Sequence, residues 1–202
     1  MGKKWTENHG NMLVALARHS ISQKLALTKT VPMPDLSDIP DTLLNEKRGV
    51  FVTLHKKGQL RGCIGNIEPE KSVLEGVREN AVHAAFDDTR FAPLTKEEFD
   101  LIDIEVSLLT PPRKMRFSNA REMLDQITPF ADGVIVEKNR NRATFLPQVW
   151  EQLPGPESFL GQLCLKAGCD TDAWQTGDLD LYTYQVQSFA EKTSPGGKTH
   201  GC

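Results

Sequence analysis

Apolar residues recur at helical spacing between positions 8 and 27, where Leu13, Ala17, Ile21 and Leu25, joined by Leu16, form one stripe of an amphipathic helix. A stripe of this kind is suited to covering a sheet. From Lys29 to Lys47 the pattern lapses; Pro32, Pro34 and Pro40 with few apolar neighbours predict an irregular crossing segment. Val50-Phe51-Val52-Thr53-Leu54 is then β-branched and aromatic, Lys56-Lys57-Gly58 is a turn signal, and Gln59 to Ile64 can return as the second arm of a hairpin. Ser72 and Glu75 make a capping-box pattern. Leu74, Val77, Ala81 and Ala84 continue from it at helical spacing to Phe86, which puts Arg61 to Gly65 between a strand and a helix.

Farther on, Ile102, Ile104, Val106 and Leu108 alternate with Asp103, Glu105 and Ser107, the period of a half-buried strand stopped by Pro111-Pro112. A short helix follows with Asn119 and Glu122 as a second capping box, and Gly133 to Lys138 pairs with Arg142 to Leu146 across a polar turn. Phe159, Leu160, Leu163, Cys164 and Ala167 share a helix face ended by Gly168, and Tyr182, Tyr184 and Val186 alternate along a closing strand. Strands joined by hairpins and mixed with helices, with no regular βαβ units, predict an α+β fold with a mostly antiparallel sheet.

Composition narrows the class. The 202 residues carry 24 Lys and Arg against 27 Asp and Glu, a formal charge of −3, with 39% hydrophobic and 25% charged residues, as expected of an ordinary globular chain. A net negative balance argues against wholesale nucleic-acid affinity, although Lys138 to Arg142 and Arg113 to Arg116 are local basic runs. Without interleaved aromatics they read as solvated loops, and nucleic-acid binding through them is the weakest of the functional readings. No apolar run approaches the roughly 18 residues of a membrane span, and no h-region follows the first lysines, so a reducing cytoplasm is the expected compartment. Gly2 and Thr6 fit the permissive myristoylation pattern, which arises easily by chance and anchors only marginally. The segment from Ser194 to Cys202 is Gly-rich and polar, a flexible tail.

The densest cluster of unusual choices is Leu60-Arg61-Gly62-Cys63-Ile64-Gly65. Gly62 and Gly65 permit positive φ or close backbone approach, and Arg61 can hold an anion in a two-pronged contact. A positive charge beside Cys63 would favour its thiolate; equally, Cys63 can be a small buried residue with the glycines serving packing. His83 and His55 are the nearest histidines in the chain, neither placed by local spacing as a base. Glu105, on the polar side of its strand, is either an acid facing a site or simply solvated, and the alternation favours solvation. Cys63, Cys164, Cys169 and Cys202 include no Cys-x-x-Cys pair, so no metal site, disulfide or cofactor is expected.

The Leu60 to Gly65 motif resembles the hallmark of the AMMECR family. The likeness continues through Gly49 to Leu54, Asn80-Ala81, Ala84 to Phe86, Asp88-Thr89-Arg90-Phe91-Ala92-Pro93-Leu94, Ile104 to Leu109 and Phe145 to Trp150, and so spans roughly residues 8 to 191. Thr89 stands where the family often has proline, which loosens that turn. The resemblance implies one domain over 1–191, with a larger subdomain of about 8–110 and 145–191, a smaller lobe of about 111–144, the hallmark near a cleft between them, and a tail at 192–202. It also implies a shared pathway with a Memo-like protein and a radical SAM protein. It supplies no reaction.

Arg61, Cys63, Asp88 and Arg90 are accordingly the polar groups expected around one site. In the enzymatic reading Cys63 and Asp88 are catalytic, while Arg61, Gly62, Gly65 and Arg90 bind a small anionic substrate. Two alternatives stand beside it: Asp88 and Arg90 form a structural ion pair fixing the loop, and the chain is a non-catalytic adaptor or carrier that docks on the pathway partners.

Overall fold

The computed structural model describes residues 4–27, 31–176 and 179–191. Gly2 of the acylation pattern, the tail from Ser194 and Cys202 lie outside the described residues. The chain divides into two compact units, one of Met1–Leu109 with Gln187–Cys202 and another of Thr110–Val186. Residues 145–186 thus group with the second unit, whereas the sequence expectation joins them to the first.

In the first unit, helix α1 (Glu7–Lys24) starts at Thr6, whose hydroxyl accepts the His9 N–H at 3.2 Å while His9 Nδ1 accepts the Thr6 N–H at 3.3 Å. This closes a capping box built on histidine in place of the usual Glu or Gln. The helix stops short of residue 27, and Ala26 takes φ +49° just beyond it. A single turn, α2 (Asp41–Leu44), interrupts the segment expected to be irregular and buries Leu43 and Leu44. Strands β1 (Val50–Lys56) and β2 (Gln59–Asn66) form the predicted antiparallel hairpin, and α3 (Val73–Phe86) follows with the Ser72–Glu75 capping box in place. Strand β3 (Ile102–Leu109) pairs antiparallel with the other edge of β1.

One face of these strands is closed by helices. Leu13, Leu16, Ala17 and Ile21 of α1, Val77, Ala81 and Ala84 of α3, and Val50, Val52, Leu54, Ile104, Val106 and Leu108 of the sheet form one buried cluster. Each such Val or Leu contributes about 1.5–3 kcal/mol on burial. Arg18 ties α1 to the sheet: its Nε and Nη2 donate to the Glu191 carboxylate at 2.5 and 2.6 Å, Nη2 also to Ile102 O at 2.7 Å, and Nη1 to Phe99 O at 3.0 Å. A forked cation spread over a carboxylate and two carbonyls fixes orientation as well as distance.

The second unit holds β4 (Arg113–Lys114), α4 (Ala120–Gln126), β5 (Asp132–Lys138), β6 (Asn141–Phe145), α5 (Pro156–Lys166) and most of β7 (Asp180–Ala190). Strand β5 pairs antiparallel with β6 and β7, and β4 with β7. Asn119 caps α4 by accepting the Glu122 N–H at 2.9 Å, but Glu122 reaches back to the Ser118 N–H at 2.8 Å, one residue short of a closed box. Its core centres on Trp150 stacked on Phe159 at 3.7 Å, with Leu160, Leu163 and Cys164 of α5 around them. Gly168 ends α5 as expected, at φ +73°, with the Cys169 N–H returning to Cys164 O at 2.9 Å. The architecture is α+β with antiparallel strands covered by helices, as the sequence predicts.

Candidate functional site

The hallmark lies on strand β2 itself, not after it. Its position there depends on a register shift between Leu54 and His55: Leu54 pairs with Gly62 and His55 with Leu60, so Arg61 is the extra residue of a β-bulge. A bulge bends its strand and re-aims a side chain. Arg61 accordingly reaches the loop after α3, where Nε and Nη2 donate to the Glu98 carboxylate at 3.3 and 2.9 Å and Nη2 to Ala92 O at 2.8 Å. Lys56 Nζ donates to the same carboxylate at 2.7 Å. Arg61 leads and Lys56 follows in holding the Glu98 carboxyl down to about 2, against burial pushing the other way. The Arg61 side chain is 11% exposed, and its Nη1 is buried without a hydrogen-bond partner.

The two glycines do not take positive φ among the described residues, where Gly58 and Gly168 alone do so. They serve close approach, but to the protein's own atoms. A Cβ on Gly62 would stand 2.2 Å from Ala84 O of α3, and one on Gly65 would stand 2.3 Å from the Phe51 ring. Gly62 therefore lets α3 press its backbone against the strand carrying Cys63.

Asp88 closes the loop onto that strand. Its Oδ1 accepts the Arg90 backbone N–H at 3.1 Å and Arg90 Nε at 3.0 Å; its Oδ2 accepts the Cys63 N–H at 2.9 Å and Arg90 Nη2 at 2.8 Å. Arg90 Nη2 also donates to Cys63 O at 3.2 Å. Both backbone groups of Cys63 are thus held by the Asp88–Arg90 pair. The turn that Thr89 was expected to loosen is fixed as an Asx-turn by the Asp88 side chain. Asp88 is 6% exposed, and the Arg90 guanidinium holds its carboxyl well below the usual range, outweighing burial. A carboxylate so engaged stays ionised near neutrality and positions its neighbours; it is poorly suited to passing a proton. The guanidinium carbons of Arg61 and Arg90 stand 5.8 and 5.6 Å from the centroid of the Phe91 ring.

The Cys63 side chain points the other way. Cys63 pairs with Thr53, and Thr53 with Glu105 on β3, so the three form a row across adjacent strands on the face opposite α1 and α3. The Thr53 hydroxyl donates to Cys63 Sγ at 3.3 Å. Cys63 is a reduced, half-buried thiol in a polar setting. The rows on either side are Gly65–Phe51–Ser107 and Leu60–His55–Asp103. His55 Nε2 is buried without a hydrogen-bond partner. Glu105, read from alternation as solvated, is 8% exposed, with Ser107 Oγ donating to it at 3.3 Å and Ser188 Oγ 2.8 Å from Ser107 Oγ. His83 is on the helical side, exposed and 4.0 Å from Asp87, in an open groove of about 380 Å³ lined also by His19, Gln23, Arg78 and Glu79.

The structure therefore gathers Arg61, Gly62, Cys63, Asp88 and Arg90 within the first unit, and adds Thr53, Glu98 and Glu105 that sequence reasoning did not place there. The hairpin arms held the signal for Thr53, since it faces the hallmark across a short turn. Glu98 left none, being 37 residues from Arg61. Among the described residues no three His, Cys, Asp or Glu side chains gather as a metal site, and no helix is long and apolar enough to cross a membrane.

A helix-covered antiparallel sheet carrying a glycine-flanked cysteine on its polar face defines the class. The AMMECR1 family profile matches residues 14–189, and the chain belongs to that family. A protein of Methanothermobacter thermautotrophicus is 40% identical over 191 residues, covering 92% of this chain and 96% of its own. Protein MK0488 of Methanopyrus kandleri is 39% identical over 204 residues, covering 97% and 95%. The crystal structure of the uncharacterized protein PH0010 from Pyrococcus horikoshii is similar at TM-score 0.76 and 36% identity, covering 95% of each chain.

Proposed function

We propose that this AMMECR1-family chain is a cytoplasmic Cys63-dependent modifier or enzyme acting on a small anionic substrate, in a pathway with Memo-like and radical SAM proteins. The observation that carries the reading is the Thr53 hydroxyl donating to a half-buried Cys63 Sγ at 3.3 Å. A donor to sulfur favours the thiolate, the nucleophilic form. Arg90, half exposed while it holds Asp88, supplies the positive charge for an anion; Arg61, taken up by Glu98 and Ala92 O, fixes the loop, and Asp88 acts as a positioning residue for the Cys63 backbone. Iodoacetamide labelling of Cys63 across pH tests the reading. An alkylation midpoint below the ordinary thiol value of about 8.5 supports it; a Cys63 that stays unlabelled in the folded protein, or titrates as an ordinary thiol, overturns it.

A second reading, the non-catalytic adaptor, is favoured by one feature. Arg61 and Arg90 already hold Glu98 and Asp88, so the hallmark can serve as a structural lock beneath a docking surface. Co-purification with the Memo-like and radical SAM proteins that persists in Cys63→Ser supports the adaptor. Absence of any complex removes it.

A further inference from the structure

We propose that Cys164 and Cys169 are a reversible dithiol–disulfide pair at the end of α5, oxidised by low-molecular-weight disulfides and independent of the Cys63 reading. Both residues belong to the second unit and both are free thiols, Cys164 buried and Cys169 half-buried. Four residues separate them in the chain, and the helix end brings them together. The Gly168 N–H returns to Leu165 O at 2.9 Å and the Cys169 N–H to Cys164 O at 2.9 Å, the two bonds of a Schellman motif. With Ala167 as the cap, Cys164 and Cys169 occupy the two positions of that motif whose side chains meet. Cys169 accordingly packs against the apolar cluster that contains Cys164.

Standard backbone dimensions and the 2.9 Å hydrogen bond hold the two Cα atoms no more than about 7 Å apart, against the roughly 4.4–6.8 Å that disulfides span. In the reduced protein Cys169 Sγ lies 3.9 Å from Ala167 O, a weak contact that is readily given up. Exposure divides the roles. Cys169 is the sulfur that solvent reaches, whereas burial pushes the Cys164 thiol up against the pull of the Trp174 N–H, and charge on Cys169 pushes it further the same way. Cys164 therefore waits as the protonated, resolving thiol. The Cys169 thiolate attacks one sulfur of the small disulfide, and the thiolate that leaves takes up a proton. Cys164, losing its proton to solvent, then attacks the Cys169 sulfur of the mixed disulfide and expels the second thiolate, which is protonated in turn. Two protein thiols are oxidised and one small disulfide is reduced to two thiols. In a reducing compartment such a bond is a transient redox sensor rather than a structural bridge.

The test uses the whole protein, equilibrated while folded in glutathione buffers of rising disulfide content, quenched with N-ethylmaleimide and digested with trypsin. Trypsin cuts after Lys166, between the two cysteines, so the peptides carrying Cys164 and Cys169 stay together only where a disulfide joins them. The Cys164–Cys169 link is expected to exceed any link through Cys63 or Cys202 by about tenfold, and to disappear on return to reduced glutathione. Phenylarsine oxide, which bridges neighbouring thiols, gives a reading with no oxidation step. It should protect Cys169 from maleimide in the wild type and fail to do so in Cys164→Ala. Glutathione that stays on Cys169 with no linked peptide, or links through Cys63 or Cys202 in equal amount, overturns the proposal. So does a wild-type Cys169 that phenylarsine oxide leaves unprotected, a result that needs no variant to fold.

Discussion

On the helical side of β1, Val50, Val52 and Leu54 are sealed beneath α1 and α3; on the other side Phe51, Thr53 and His55 stand among Cys63, Glu105 and Ser107. The same seven residues thus serve two purposes by alternation. The apolar side supplies the stability, through close packing that leaves no room for a Cβ at Gly62. The polar side holds a buried carboxylate and a half-buried thiol, groups that pack less apolar surface than the helical side and that bring chemistry to the sheet.

The comparison is broken most severely by truncation on the helical side. Leu54→Ala is expected to lower unfolding stability by about 2–5 kcal/mol, read by urea denaturation. If it costs less than a change on the polar face, the division of labour is wrong. Asp88→Asn comes next, at about 2 kcal/mol, because the charged acceptor for the Cys63 N–H and for a half-exposed Arg90 is lost. The pH sign follows from the lowered Asp88 value. Its contribution is fully present above the unfolded carboxylate value of about 3.9 and is lost as pH falls through the lower folded one. Wild-type stability should therefore decline more steeply with acid than that of Asp88→Asn, and parallel curves would contradict the arrangement. Thr53→Val has the smallest effect on stability, below about 1 kcal/mol, yet it should raise the pH needed to alkylate Cys63. An unchanged alkylation profile would mean that the hydroxyl does nothing for the sulfur.

What the chain discloses by itself follows from range. The hairpin, α3, β3 and α5 are legible because period, caps and turn residues act within a few positions: Ser72 with Glu75, Gly58 after Lys57, Gly168 after Ala167. The return arm read from Gln59 to Ile64 already carries most of the hallmark, but the bulge at Arg61 was not legible, since one extra residue leaves no mark in composition. Nor was the burial of Glu105, because alternation says which residues share a face and not whether that face is wet. The partner of Arg61 was hidden for a third reason: Glu98 meets it only after α3 has turned the chain back. Asp88 and Arg90 were found through family resemblance, but their joint grip on the Cys63 backbone needed the fold.

Cys63 and Cys164 allow both sides of the account to be read in one sample, because Cys164 is fully buried in the core of the second unit while Cys63 lies on the polar face. A short pulse of iodoacetamide, applied at increasing urea and followed by peptide mapping, measures the two thiols together. The account predicts that Cys63 labels in the native protein without denaturant and that Cys164 labels only through the unfolding transition. Labelling of both at the same urea midpoint would contradict it.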